Sequence, residues 1–309
     1  MKVTVLLLSV DEAPMLERSL PAVLAQEPRP EVVVIDNACS DATAELAAAH
    51  GVRRIALAPR HSYAAAVNAA LAQTNGDAVL LLNADCFLRP GFLSASVPRL
   101  SEPGVGSVAP KLLRTGGEID AAAMFVDRRR KNGLVGHGRP ADRHAQAAAA
   151  FGPDGAAALY RRETLDACRL GATEVLDEDM ALWASDADLA WRAQLLGWRC
   201  VYEPSAVAEH VRTYSPSTRA QVAEEHRRLQ FRNRYLMMIK NETAAGLARD
   251  LGPIALYELL ALGHVILRER HLLTGYREAW RLRGGALERR RQVQARRRRR
   301  PPFGLRPPA

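Results

Sequence analysis

Cysteine is scarce: the 309 residues hold four, Cys39, Cys86, Cys168 and Cys200, far apart and with no C-x-x-C pair. That spacing excludes a disulfide framework and a cysteine-based zinc module, and fits a reduced, cytoplasmic setting. No apolar run reaches the roughly 20 residues that a membrane-spanning helix needs. Residues 251–267 come nearest, but Glu258 and His264 interrupt them and Gly252-Pro253 opens them, so they read as a helix lying on a membrane or against the main domain. A secretory signal is also lacking, because the apolar run at residues 3–8 meets Asp11 and Glu12 at once and no small-residue cleavage site follows; the run is a first strand. Glycine is missing where nucleotide chemistry most often uses it. Ser9-Val10-Asp11-Glu12-Ala13-Pro14 follows that strand, whereas dinucleotide fingerprints and phosphate loops need glycines there to bring backbone amides onto phosphates. A nicotinamide or flavin Rossmann enzyme, a P-loop NTPase and a nucleotidyltransferase with a glycine-rich basic loop are therefore disfavoured.

The chain is 48% hydrophobic and 25% charged, an ordinary globular composition that excludes disorder throughout. Its net charge of +9 is unevenly placed. Residues 1–218 hold 22 Lys+Arg and 26 Asp+Glu, a net of −4, and residues 219–309 hold 21 and 8, a net of +13. The main domain is mildly acidic, and the basic character belongs to an extension.

Residues 3–8, 31–35, 54–57 and 78–82 are short runs of Val, Ile and Leu, as expected of strands buried on both faces. Between them, residues 15–25, 42–50 and 63–73 space apolar side chains by three and four, so this part reads as an α/β unit with a mostly parallel sheet. Residues 111–146 are less regular and include Asp127-Arg128-Arg129-Arg130-Lys131. A helix at 186–196, stopped by Gly197, and a strand at 198–202 follow. Beyond Ser215 the pattern is helical, with an apolar stripe through Leu229, Tyr235, Leu236 and Ile239. The division is 1–218 for the α/β domain, 219–275 for a helical, membrane-associated extension and 276–309 for an Arg-rich tail. That tail holds 12 Arg against 2 Glu, and its self-repulsion predicts disorder.

In open α/β sheets ligands sit beyond the carboxyl ends of the strands. There the sequence places Asp11, Asp36 and Asp85, three acids that repel unless they meet hydroxyls, amide donors or a cation. A ligand with ribose hydroxyls and a metal-bound diphosphate fits. Turn formation and helix capping by Asp36-Asn37 and Ser40-Asp41 is the plainer alternative.

Taken together and in order, the motifs of about the first 215 residues resemble the nucleotide-sugar-dependent glycosyltransferases of family 2, which have the GT-A fold. Ile35-Asp36-Asn37-Ala-Cys-Ser40-Asp41-Ala-Thr43 resembles that family's D-N-x-S-x-D-x-T signature. Arg60-His-Ser62-Tyr63-Ala-Ala-Ala-Val-Asn68 is similar to its N-x-G-F-x-x-A-x-N stretch, and Asn83-Ala84-Asp85 to its degenerate D-x-D metal motif. Asp177-Glu178-Asp179 through Arg192 resembles the acceptor-side D-E-x-F-F-x-Y-x-E-D-x-D-L-x-x-R block, and Pro204, Ala206, His210 and Ser215 the following P-x-A-x-x-x-H-x-x-x-x-S. The resemblance implies that Ser9, Asp11, Glu12, Asp36, Asn68 and Asn83 hold the nucleotide. It further implies that Asp85 and His210 bind Mg²⁺ or Mn²⁺, and that Asp186 is the base of an inverting transfer.

Ser185 stands where the family has Glu. The base thus lacks its usual carboxylate neighbour, which leaves Asp188 or Glu178 to assist, or a catalytically impaired sugar-nucleotide-binding homologue. Ser185-x-x-Asp188 also matches a helix capping box. Arg232-Asn233-Arg234 in the extension resembles bacterial rhamnosyltransferase-type members that build cell-surface polysaccharide. This implies a dTDP-rhamnose or UDP-sugar donor and a glycan or lipid-linked acceptor. The Arg-rich tail suggests attachment to an anionic membrane at the inner face of the plasma membrane. Nucleic-acid binding is the alternative for the tail, disfavoured by the acidic main domain.

Overall fold

The computed structural model of the chain describes residues 1–212 and 221–309. Ser215 and the expected joint at residue 218 lie outside the described residues. The first unit runs β1 (Val3–Ser9), α1 (Ala13–Leu24), β2 (Glu31–Asn37), α2 (Thr43–Ala49), β3 (Arg53–Leu57), α3 (Tyr63–Leu71) and β4 (Ala78–Asn83). Its strands are all parallel, in the order β3-β2-β1-β4. Strand side chains alternate between faces, which is why these runs are continuously apolar. Val5, Leu7 and Val34 pack with Leu16 and Leu20 of α1, while Leu6, Leu8 and Ile35 pack with Val67 and Leu71 of α3.

The chain continues through β5 (Cys86–Leu88), α4 (Phe92–Ser96), β6 (Val105–Leu113), β7 (Ile119–Ala121), β8 (Met124–Val126), β9 (Asn132–Leu134), β10 (Ala148–Ala150), β11 (Ala157–Arg161), α5 (Arg162–Ala167), α6 (Ser185–Leu195) and β12 (Arg199–His210). The sheet extends from β4 in the order β11-β6-β12-β10. Here it is mixed: β11 is antiparallel to both β4 and β6, and β12 is parallel to β6. Residues 111–146 hold the three-residue strands β7, β8 and β9, too short to leave a periodic signal. Strand β12 runs well past the expected 198–202. Its register against β6 shifts between Glu203 and Val207, around Pro204, which has no N–H for the ladder. The strand continues to His210, paired with Cys86 of β5.

Among the described residues, four α-helices follow: α7 (Glu224–Asn241), α8 (Ala244–Arg249), α9 (Leu251–Leu267) and α10 (Leu273–Ala295). The expectation of a disordered tail over 276–309 is corrected here. Most of its first part is α10, which buries Gly275, Ala279, Ala286 and Val293 and packs along α7. The Arg run lies back on the α/β domain. Arg296 donates to the carbonyls of Ala167 and Arg169, at the end of α5. Arg299 donates to Gln194 and Trp198 at the end of α6. Guanidiniums on the terminal carbonyls of two helices gain the favourable end of each helix dipole, which offsets their mutual repulsion. Beyond them Phe303 meets the Trp191 ring at 4.9 Å and stacks on Phe151.

Candidate active site

The carboxyl ends of β1, β2 and β4 meet the ends of β5 and β12 along one sheet edge. Asp85 lies between β4 and β5, and because β5 pairs with the end of β12, His210 Nε2 comes 3.5 Å from Asp85 Oδ2. The other ring nitrogen is fixed: His210 Nδ1 donates to Asp120 Oδ2 at 2.8 Å. Burial disfavours the charged ring, but the hydrogen bonds to Asp120 and Asp85 prevail, pushing His210 up to about 9. Asp120 is fully buried. Burial opposes its charge, yet hydrogen bonds from His137 and His210 and the charge of Arg212 hold it far below the usual carboxylate range. Arg212 then bridges Asp120, at 2.8 Å from both oxygens, to Asp154 Oδ2 at 2.7 Å.

A carboxylate and an imidazole whose far nitrogen is anchored to a second carboxylate form a donor set suited to a divalent cation. Asp85 and His210 therefore fit the metal role expected of them. Glu12 belongs to the same edge. Its carboxyl is raised first by burial and then by the charge of Asp85.

Asp186 opens α6. Its Oδ2 accepts from Gly155 N–H at 3.2 Å and its Oδ1 from Ala187 N–H at 2.8 Å. Its surroundings push it up to about 6, mainly through burial and then through the charge of Asp154, against those two donors. Tyr63 is shifted upward by burial and by the charges of Asp186 and Asp154, so its hydroxyl belongs to this corner as well.

The loop before α6 is unusual: Ala181, Trp183 and Ala184 all have positive φ, a conformation costing about 1 kcal/mol or more per non-glycine residue. The extension holds it in place. Asn233 Nδ2 lies 2.7–2.9 Å from the carbonyls of Met180, Leu182 and Trp183, and Arg232 donates to the carbonyls of Asp179 and Met180. Arg234 donates to the carbonyls of Arg129 and Arg130 instead. The Arg-Asn-Arg sequence thus has a structural task.

Several sequence expectations change. Asn68 was placed on the nucleotide, but all four hydrogen-bonding positions of its amide are taken: it accepts from Val175 and Leu176 N–H and donates to Leu176 O and Glu178 Oε1. Its task is to pin the loop leading to α6. Glu178 is engaged by that bond, and Asp188 is fully buried between Arg192, Lys240 and Asn241, so neither assists Asp186. The capping box does not form; the N-cap position is Ala184, and Ser185 Oγ is buried with no hydrogen-bond partner among the described residues.

On the far side of the edge the plainer alternative holds alongside the functional one. Asp36 accepts from Cys39 N–H and from Arg54 at 2.6 Å, and Asp41 accepts from Ala13 and Thr43 N–H. Ser9 Oγ is buried 2.9 Å from Thr43 Oγ1. Asp11 accepts from Ser40 N–H at 2.7 Å and pairs with Arg60, which together hold its carboxyl below the usual range. Ligand atoms of Asp11, Cys39 and Asp41 lie within 4.8 Å of one another, but these carboxylates already receive loop donors, so the cluster is a loop clasp. Asn83 ends β4, its N–H donating to Ala156 O.

Sequence reasoning missed Asp120, Asp154 and Arg212. Asp154 sits in Phe151-Gly152-Pro153-Asp154-Gly155, which reads as a turn. Only the fold brings this turn against the start of α6.

Comparison with known proteins gives three findings. The family described as Glycosyl transferase family 2 matches residues 4–169. A curated relative, the uncharacterised protein y4gI of Sinorhizobium fredii, is 29% identical over 219 residues, 65% of this chain, and the match covers 23% of that longer protein. Among solved structures, the fold resembles the mannosyltransferase PcManGT of Pyrobaculum calidifontis in complex with GDP-Man and Mn²⁺ (TM-score 0.56, 20% identity, 96% of this chain and 85% of that one). It also resembles S. aureus TarS 1-349 in complex with UDP-GlcNAc (0.61, 15%, 96% and 91%) and GalNAc-T7 with UDP, GalNAc and Mn²⁺ (0.60, 14%, 78% and 48%).

Proposed function

Because the chain belongs to glycosyl transferase family 2, we propose that it moves a sugar from a nucleotide-sugar donor to an acceptor hydroxyl with inversion at the anomeric carbon. The observation that carries this reading is the arrangement around Asp186: a carboxylate at a helix start, raised to about 6, on the same edge as the Asp85 and His210 pair. In the transfer, Asp186 takes the proton of the acceptor hydroxyl as that oxygen bonds to the anomeric carbon. The bond from that carbon to the diphosphate breaks, and the nucleoside diphosphate leaves with the electron pair. Asp85 and His210 would hold Mg²⁺ or Mn²⁺, which when bound neutralises charge on the diphosphate. Ser9, Asp11, Glu12, Asp36 and Asn83 frame the nucleotide side.

Asp154 answers the loss of Glu at position 185. It supplies negative charge beside Asp186 from a different loop, and its own position is fixed by Arg212. That arrangement favours an active enzyme over an impaired homologue. A dTDP-rhamnose or UDP-sugar donor and a glycan or lipid-linked acceptor of cell-surface polysaccharide synthesis remain the finer reading. Since Arg232 and Asn233 serve the 180–183 loop, that segment does not choose between the donors.

A panel of sugar nucleotides with Mn²⁺ or Mg²⁺, scored for nucleoside diphosphate release, tests the proposal. Release from one donor, lost on chelation and restored by metal, is expected. Turnover that survives in both Asp186→Asn and Asp85→Ala overturns it.

A further inference from the structure

Helix α9 stands almost clear of the body. Ile254 and Val265 are its buried residues, whereas Leu256, Leu259, Leu260, Leu262, Ile266 and Leu267 are 41–77% exposed. Glu258, its one acidic residue, is tied inward by Arg234 and by the hydroxyl of Tyr235. A water-facing helix ordinarily carries polar side chains on its outer face, and a contiguous apolar surface of this kind marks a binding face.

Helix α10 carries a related stripe. Leu273, Arg277, Trp280, Gly284, Leu287 and Arg291 recur at alternating spacings of four and three and are all exposed. Leu and Trp interleaved with Arg on one helix face suit the lipid headgroup region, where the rings and aliphatic chains bury and the guanidiniums reach back to phosphate. Exposed Arg268 and Arg270 stand at the corner where α9 and α10 meet, bent by 119°. No single helix among the described residues is long and apolar enough to cross a membrane.

Charge selects the occupant. The extension carries a net +13, so a second copy of the chain would bring like-charged rims together, whereas an anionic bilayer complements both the apolar face and its Arg border. We propose that α9 and the outer stripe of α10 form a docking surface for an anionic lipid bilayer, lying in its interface, and that the Arg run at 296–300 is not the anchor. Arg296 and Arg299 are already committed to the ends of α5 and α6. This inference stands independently of the transferase reading.

Co-sedimentation of the full chain with phosphatidylcholine vesicles, with and without phosphatidylglycerol, tests it. The wild type is expected to bind the anionic vesicles at least tenfold better than the neutral ones. Leu256→Glu/Leu260→Glu should lose about tenfold or more in binding while keeping the wild-type melting temperature, because both side chains are exposed. Arg277→Glu/Arg291→Glu should remove most of the preference for anionic vesicles. Equal binding to both vesicle types, or wild-type binding by the Leu pair variant, overturns the proposal. Carbonate-resistant association overturns it in favour of insertion, and a dimer in light scattering that the Leu pair variant dissociates overturns it in favour of a second copy.

Discussion

Two groups of buried and half-buried charges, one at the sheet edge and one under the C-terminal extension, are balanced differently. On the C-terminal side each acid meets a cation: Arg130 joins Glu242 and Asp250, Lys240 and Arg192 enclose Asp188, and Arg289 reaches Glu174 and Asp179. At the sheet edge Glu12, Asp85, Asp120, Asp154 and Asp186 share one arginine, Arg212, and two imidazoles, His137 and His210. Leaving buried carboxylates short of cations costs folding energy, so a surplus that persists marks a place where an outside cation or a mobile proton is used. The balanced group is architecture, holding the extension on the domain and fixing the loop from which Asp186 projects.

The largest contrast is expected from Asp186→Asn. Turnover should fall by about 10²–10⁴-fold, the usual contribution of a general base. Stability should move the opposite way. Asp186 holds its proton more tightly when folded, up to about 6 against an ordinary aspartate value of 3.8. The resulting stabilisation is complete below the unfolded value and is lost as pH rises through 6. At pH 8 the variant lacks a buried charge and should therefore be more stable, on the order of 2 kcal/mol, as read by urea titration. A less stable variant would place Asp186 in the balanced group. Arg130→Ala should do the reverse: it strands Glu242 and takes from Asp250 one of its three arginine partners, with an expected loss of about 3–5 kcal/mol. If that variant unfolds at the wild-type urea concentration, the group it belongs to is not what holds the extension.

How much of this could be read from the sequence follows the same division. The β1 to β4 unit was legible because its strands are apolar on both faces, and α9 was found to the residue because the charged Asp250 and Arg268 bound its apolar run. Asp85, His210 and Asp186 stand out in the sequence as an ordered set of motifs, and the fold brings the first two together. The fates of individual side chains were not. Asp186 and Asp188 are two residues apart with the same carboxyl group, and what separates them is Lys240 and Asn241, some fifty residues later. Asn68 looked like a ligand because nothing in its own segment shows that Val175 and Leu176 bring it their amides. The Arg-rich tail looked disordered because repulsion is visible in composition, whereas helix ends that accept guanidiniums are visible only in the fold.

Asp154→Asn sharpens the comparison with a smaller effect. Removing the charge beside Asp186 while keeping the side chain's shape should move the acid limb of kcat/KM below pH 6 and lower the rate by about tenfold. A rate loss with an unmoved limb would make Asp154 merely structural.

The smallest effect is expected at the far end of the edge, where Arg60 pairs with Asp11. Both partners are open to solvent, where an ion pair contributes little to folding, so Arg60→Ala should leave the melting temperature unchanged. Its consequence lies in placement. Arg60 also reaches the carbonyl of Ala38 at 3.2 Å, so it ties the β1 loop to the β2 loop on the side proposed for the nucleotide, away from Asp186. Loosening that tie weakens donor binding equally in the ground and transition states, which raises donor KM a few-fold and leaves kcat unaltered. A fall in kcat with KM unchanged would mean that the nucleotide side and the catalytic corner are not separable, and that Arg60 acts on the same charge surplus as Asp186.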